Sequence, residues 1–193
     1  GANSYDQAKI CFDEIRAIML DIDPRGRHFR VNREKITFRD GARDSLIQCL
    51  TANAKTKDGL FASLVIMDEY AQARNTAGKN GADLKNVLTT SMGPRSSPLT
   101  VVITTASDVV DGPFAHELDG VLKVLRGEAE NDRMFASAFM PDVDDAEGDP
   151  KTWAKVQPHL GVTVRPDYYA NEYASAQLSA ENMLAFRTKL LNV

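Results

Sequence analysis

Two adjacent carboxylates are the first residues in this chain whose type and position could do chemistry. Asp68 and Glu69 close an uninterrupted apolar run, Leu64, Val65, Ile66 and Met67. Such a run is expected for a strand buried on both faces of a parallel sheet, and open α/β folds bind ligands at the carboxyl edge of that sheet. An acid fixed there can hold a Mg²⁺ ion that bridges nucleotide phosphates, while the acid beside it orients the attacking water. A second apolar run, Leu99 to Ile103, ends in Thr104 and Thr105, whose hydroxyls would stand at the same edge one crossover later and could sense a γ-phosphate. Each pair also has an ordinary reading. Acids close many strands, and Thr is a favoured cap in βα turns. It is the placement of both pairs at one edge that favours chemistry.

The elements that must position these residues follow from the periodicity. Ser4 with Gln7 three residues on forms a capping-box signature, and Ala8, Cys11, Phe12, Ile15 and Met19 follow at helical spacing, which predicts a helix over about residues 5 to 20. Pro24 and Gly26 end that pattern. Short β-like runs come next, around Phe29 to Val31, Ile36 to Phe38 and Ser45 to Leu50, with Asp40 and Gly41 as the hairpin turn between the last two. Leu84, Val87, Leu88 and Met92 place a helix between the two apolar strands. Pro113 then opens a helix carrying Leu118, Val121, Leu122 and Leu125, and Met134 to Met140 reads as a further strand with Phe135 and Phe139 as core contacts. Asp142 to Pro150 reads as an exposed loop, and two helical patterns close the chain near Asp167 to Gln177 and Ala180 to Leu191. These elements describe an α/β fold, with residues 1–141 as its main domain and residues 142–193 as a loop and helical linker.

Composition narrows the class. The 193 residues are 43% hydrophobic and 26% charged, enough for one α/β domain with a buried core and an appendage. No run of 18 apolar residues exists and the first residues lack a secretory pattern, so a cytoplasmic location with no membrane partner is expected. Cys11 and Cys49 are widely separated, and His28, His116 and His159 have no second ligand at useful spacing, which argues against a metal site of their own. The net charge of −4 is uneven: residues 127–150 hold eight acids and one base, leaving the remainder near +3. Arg25, Arg27, Arg30, Arg33, Lys35 and Arg39 cluster against Glu34, interleaved with Phe29 and Phe38. That pattern suits either a solvated hairpin face or a phosphate backbone.

The order of these segments resembles the large terminase subunits of tailed phages, in the HK97-type group, over nearly the whole chain. Ala2, Asn3, Asp6, Gln7 and Ala8 resemble the family's Ala-Asn-x-x-x-Gln-Ala stretch, and Asp58 and Gly59 its Asp-Gly pair before Walker B. Leu64 to Tyr70 is similar to the Walker B strand itself. Gly93, Arg95 and Pro98 followed by Val101 to Ala106 resemble the lead into the coupling motif. Trp153 and the segment Pro158 to Gly161 resemble a Trp then Asn-Pro-x-x-Gly element, with Gln157 standing at the Asn position. Phe186 to Asn192 resembles the helix end that leads toward a nuclease domain.

The resemblance implies a three-layer P-loop NTPase fold with a mainly parallel sheet and a helical C-terminal extension. It implies Asp68 as the Mg²⁺ and ATP acid, Glu69 as the catalytic base, Thr104 and Thr105 as coupling residues and Arg95 as a candidate arginine sensor. It further implies double-stranded DNA, a portal protein and a small terminase subunit as partners of a ring-forming motor in the bacterial host cytoplasm. No Gly-rich loop with Lys and Ser or Thr occurs in the sequence, and Lys79, Asn80 and Gly81 do not replace one, so this chain is expected to be an internal piece of the motor without activity by itself. A superfamily 2 helicase shares the Asp-Glu strand end but has Ala and Asp where Tyr70 and Ala71 stand here. A non-catalytic phage assembly or DNA-binding module, acting through the basic hairpin, is the other class the residues allow.

Overall fold

The computed structural model describes residues 2, 4–40, 43–50, 60–73, 75, 76, 79–107 and 112–193. Asn3, Gly41, Asp58 and Gly59, named above, lie outside the described residues. The chain divides into two units, Gly1–Thr104 and Thr105–Val193.

In the first unit the Ser4 hydroxyl accepts the Gln7 amide at 3.2 Å and starts helix α1, Tyr5–Ile22, whose Ala8 and Phe12 are buried. The helix stops at Asp23. Its carboxylate accepts the amides of Arg27 at 2.9 Å, His28 at 2.7 Å and Phe29 at 2.8 Å, while Gly26 takes the left-handed φ of 59° that the turn requires. This carboxylate cap aims the chain into an antiparallel sheet of β1 (Phe29–Val31), β2 (Lys35–Asp40) and β3 (Arg43–Gln48). Register pairs Val31 with Ile36 and Ile36 with Ile47, and Phe29 with Phe38, so one face is apolar. Ile36 is 1% exposed there, and the Phe29 and Phe38 rings lie 5.2 Å apart.

The two apolar runs form a parallel pair, β4 (Leu64–Asp68) with β7 (Leu99–Ile103), in register from Leu64 opposite Leu99 to Asp68 opposite Ile103. Between them lie the two-residue strands β5 (Asn75–Thr76) and β6 (Lys79–Asn80) and helix α2 (Gly81–Ser91), which contacts β4. Val65 and Met67 of β4 are buried, as are Leu84 and Leu88 of α2 and Met92 just past its end. The expectation of a strand buried on both faces is not met among the described residues. Leu64, Leu99 and Ile103 remain more than half exposed, while Val65 and Met67, which alternate with them, are the buried side.

The first helix of the second unit is α3 (Pro113–Leu125), which has Pro at its first turn and apolar residues that are half-buried except for exposed Leu125. The strand expected over Met134 to Met140 does not form. No described strand pairs with this stretch, and Phe135 is 94% and Phe139 49% exposed. The expected loop at Asp142 to Pro150 is present, and Asp149 and Pro150 also start a short helix that the periodicity missed, α4 (Pro150–Val156), with the Asp149 carboxylate accepting the Lys151 amide. Helices α5 (Pro166–Ala176) and α6 (Ala180–Phe186) follow, the latter continuing as a π-helical turn over Arg187–Leu191. Trp153, Val156, Tyr169, Ala176, Phe186 and Leu191 make the core of this unit. The buried polar tips are satisfied: Trp153 Nε1 donates to the Glu147 carbonyl at 2.8 Å and the Tyr169 hydroxyl to the Leu190 carbonyl at 3.0 Å.

Backbone amides, that of Phe29 first and His28 next, hold the Asp23 carboxyl below the usual carboxylate range. A lowered folded-state value means that its stabilising contribution is complete above the unfolded value and is lost as pH falls through the folded one. Asp23→Asn is therefore expected to unfold at lower denaturant than the parent at pH 7. Below about pH 4 the two midpoints should converge in urea titrations. A gap that stays constant across that range would refute this role.

Candidate active site

The site is assembled where β4 and β7 end together. Asp68 is the last residue of β4, and its register partner Ile103 is the last of β7, so Asp68 and Thr104 leave the sheet at one edge. Past Asp68 the backbone turns sharply. Glu69 sits at φ 51° and ψ 42°, in the left-handed region. Its amide donates to the Ile103 carbonyl at 2.9 Å, carrying the ladder one residue beyond the strand, and its carbonyl accepts the Gln72 amide at 3.1 Å. These bonds open a 3₁₀ turn, Tyr70–Gln72.

The Thr104 hydroxyl accepts the Ala71 amide at 2.9 Å, and so ties the end of β7 to the turn that follows β4. Tyr70, Ala71 and Ala73 are each at most 3% exposed, which packs that turn from below. The ammonium of Lys85, on α2, stands 5.3 Å from the centre of the Tyr70 ring, at cation–π distance. A non-glycine residue in the left-handed region costs on the order of 1 kcal/mol and persists only where its surroundings over-determine it, which is a habit of functional sites. Here the bonds from Ile103, Gln72 and Thr104 do so. Sequence spacing gave no sign of the Thr104 latch or of the Lys85 contact, because each joins residues far apart along the chain.

Asp68, Glu69 and Thr104 are thus brought together, all half-buried. Thr105, also half-buried, is the first residue of the second unit. Arg95 is not brought to this edge. Its Nε donates to the Phe61 carbonyl at 3.1 Å, and Nη2 donates to the same oxygen. Phe61 precedes β4 and Arg95 precedes β7, so this contact lies beyond the opposite end of the pair, whose own length is four strand rises or about 13 Å. No group of three His, Cys, Asp or Glu among the described residues could hold a metal ion by itself. Two neighbouring carboxylates are nonetheless a donor set that suits Mg²⁺, which takes one or two protein acids together with phosphate oxygens and water.

Residues 1–122 match the family described as terminase large subunit, ATPase domain. The chain belongs to the terminase large-subunit family. It is 30% identical over 145 residues to Protein YmfN of Escherichia coli (strain K12), an overlap of 75% of this chain and 30% of that protein. Its fold is similar to that of the HK97 bacteriophage large terminase, with a TM-score of 0.78 at 22% identity over 100% of this chain and 38% of the phage protein. The fold is accordingly that of a terminase ATPase, of which β4, α2 and β7 are the described parallel α/β part. The chain spans less than two fifths of the length of either relative. Within this terminase chain, Trp153 and Gln157 of the Trp-containing element serve structure: Trp153 is in the core, and Gln157 Oε1 accepts the His159 amide at 3.2 Å.

Removing the Thr104 hydroxyl leaves the Ala71 amide without its acceptor, at a cost of about 1–3 kcal/mol. Thr104→Ala is expected to speed hydrogen exchange at Ala71 by at least about tenfold, whereas Thr104→Ser restores protection. Unchanged exchange in the Ala variant would show that the latch does not hold the turn.

Proposed function

We propose that this chain is part of an ATP-hydrolysing motor that moves double-stranded DNA into a viral procapsid. The left-handed Glu69, pinned beside Asp68 and tied to Thr104, is the observation that carries the reading. Asp68 would hold Mg²⁺ on the nucleotide, where the ion neutralises charge developing on the phosphates. Glu69 orients the attacking water and accepts its proton, and the pinned backbone keeps that carboxylate from drifting. Thr104 and Thr105 couple hydrolysis to movement: a change at the end of β7 acts on the turn after β4 through the Thr104–Ala71 bond. Arg95, at the far edge, fits an arginine sensor only toward a neighbouring copy in a ring. Double-stranded DNA, a portal protein and a small terminase subunit are the partners this role entails, in the cytoplasm of a bacterial host.

The phosphates need more than these residues. Charge-assisted contacts from a Lys and a run of backbone amides supply most of the affinity for a triphosphate, and the sequence has no Gly-rich loop of that kind. Two carboxylates facing a polyanion repel it unless Mg²⁺ bridges them, so the 193-residue chain is expected to bind Mg-ATP no tighter than about millimolar. A micromolar dissociation constant by calorimetric titration would place the nucleotide site elsewhere. In a protein that also carries the phosphate loop, Glu69→Gln and Asp68→Asn are expected to abolish steady-state hydrolysis with the circular dichroism spectrum unchanged, because each removes charge at nearly constant volume. Turnover within a factor of about two of the parent would remove both acids from the reaction.

A further inference from the structure

The antiparallel sheet β1–β2–β3 has a second face. Register places Arg30 opposite Thr37 and Thr37 opposite Leu46, with Lys35 opposite Gln48, so these residues lie on the side away from Phe29, Val31, Ile36, Phe38 and Ile47. Arg33 stands in the tight turn between β1 and β2, which the Asn32 amide closes onto the Lys35 carbonyl at 2.9 Å, and Arg25 and Arg27 lie in the loop that enters β1. A concavity of about 390 Å³ opens beside this loop, where Arg27, His28 and Arg30 line it together with Asp23 and the apolar Leu20 and Val31.

These bases are both clustered and open. Arg25, Arg27, Arg30, Arg33 and Lys35 are all exposed, and none is ion-paired among the described residues. Among the other described cations, Lys9, Lys123, Lys155, Arg165 and Arg187 each meet a carboxylate, whereas Arg126, Arg133, Lys151 and Lys189 do not, so it is the clustering of the unpaired bases on one hairpin and its entry loop that distinguishes this region. A local excess of base, five exposed cations against Glu34, on the polar side of this sheet and in the loop before it, in a chain whose net charge is −4, is complementary to a polyanion. The other face of the sheet holds buried Ile36, and the carboxylate cap at Asp23 fixes the loop that enters β1.

We infer that the outer face of β1–β2–β3, with the loop before it, is a docking surface for the phosphate backbone of double-stranded DNA. The choice of a duplex rests on the packaging function proposed above, whereas the preference for a polyanion stands on the charges alone. Contacts of this kind position the backbone without reading bases, so affinity should be independent of sequence and steeply dependent on salt.

Binding of a fluorescently labelled duplex of about 30 base pairs, followed by anisotropy across a salt series, tests it, since each phosphate contact contributes about 0.9 to the slope of log affinity against log salt. The variant Arg27→Gln, Arg30→Gln, Lys35→Gln is expected to lower the slope by about 2.7 and to weaken binding at least about tenfold at low salt. The charge-keeping variant Arg27→Lys, Arg30→Lys should retain the parent slope. If the triple variant loses its helical circular dichroism, Arg30→Gln alone carries the test, with an expected drop of about 0.9. Parent-like slope and affinity in folded variants would overturn the surface, as would stronger binding to an acidic peptide than to the duplex. Failure to bind duplex would leave hydrolysis by Asp68 and Glu69 untouched, and loss of the hydrolysis assignment through Glu69→Gln would leave the salt slope unchanged.

Discussion

The amide of Glu69 donates to the Ile103 carbonyl, and one residue later along β7 the Thr104 side chain accepts the Ala71 amide. These two bonds lie at the point where two parallel strands stop, and a parallel ladder has no reason of its own to continue there. They make the chain leave β4 through a left-handed residue instead of running on as extended strand. Strain of about 1 kcal/mol is small beside the burial of Tyr70 and its neighbours, each large buried side chain contributing about 1.5–3 kcal/mol. The turn can therefore be held in a conformation that isolated peptide would rarely visit, and a carboxylate is fixed where it would otherwise sample several positions.

That fixing depends in turn on the floor beneath it. Val65 and Met67 face inward with Leu84, Leu88 and Met92 buried in the same unit, and α2 also brings Lys85 over the Tyr70 ring. The helix thus serves both packing and the site. In the second unit four of the eight acids between residues 127 and 150 are locally engaged. Lys155 bridges Asp142 and Asp145, Arg187 binds Glu147, and Asp149 caps α4. The paired lysine holds the Asp145 carboxyl below its usual range and is itself raised by its two carboxylates. These pairs are exposed and worth little singly; together they shape a loop around the Trp153 core.

Elements with strong periodicity were legible from the sequence: α1, α2, both parallel strands and the last two helices begin and end within a few residues of where the apolar pattern puts them. The fold and the family followed from the same segments. The Met134 to Met140 stretch misled because an apolar run specifies burial only if a partner exists, and none of the described strands offers one. Helix α4 was missed for the opposite reason, since seven residues are too few for periodicity to show. An Asp followed by Pro was its one local signal. In the site, residue types and positions along each strand were readable, but the left-handed Glu69 and the Thr104 latch were not. Both arise from chain segments meeting across more than thirty positions of sequence.

The two edges of the parallel pair have different tasks. At the carboxyl edge, polar groups face a turn whose geometry is strained and closely held. At the amino edge, the Arg95 guanidinium binds the Phe61 carbonyl, and the Leu99 amide donates to the Ser63 carbonyl at 3.0 Å, so both strands enter the sheet already tied together. A side chain anchored there cannot span about 13 Å to act on chemistry at the other end of its own sheet. The Arg95 guanidinium therefore serves the entry of the two strands, and not the edge where Asp68 and Thr104 leave them.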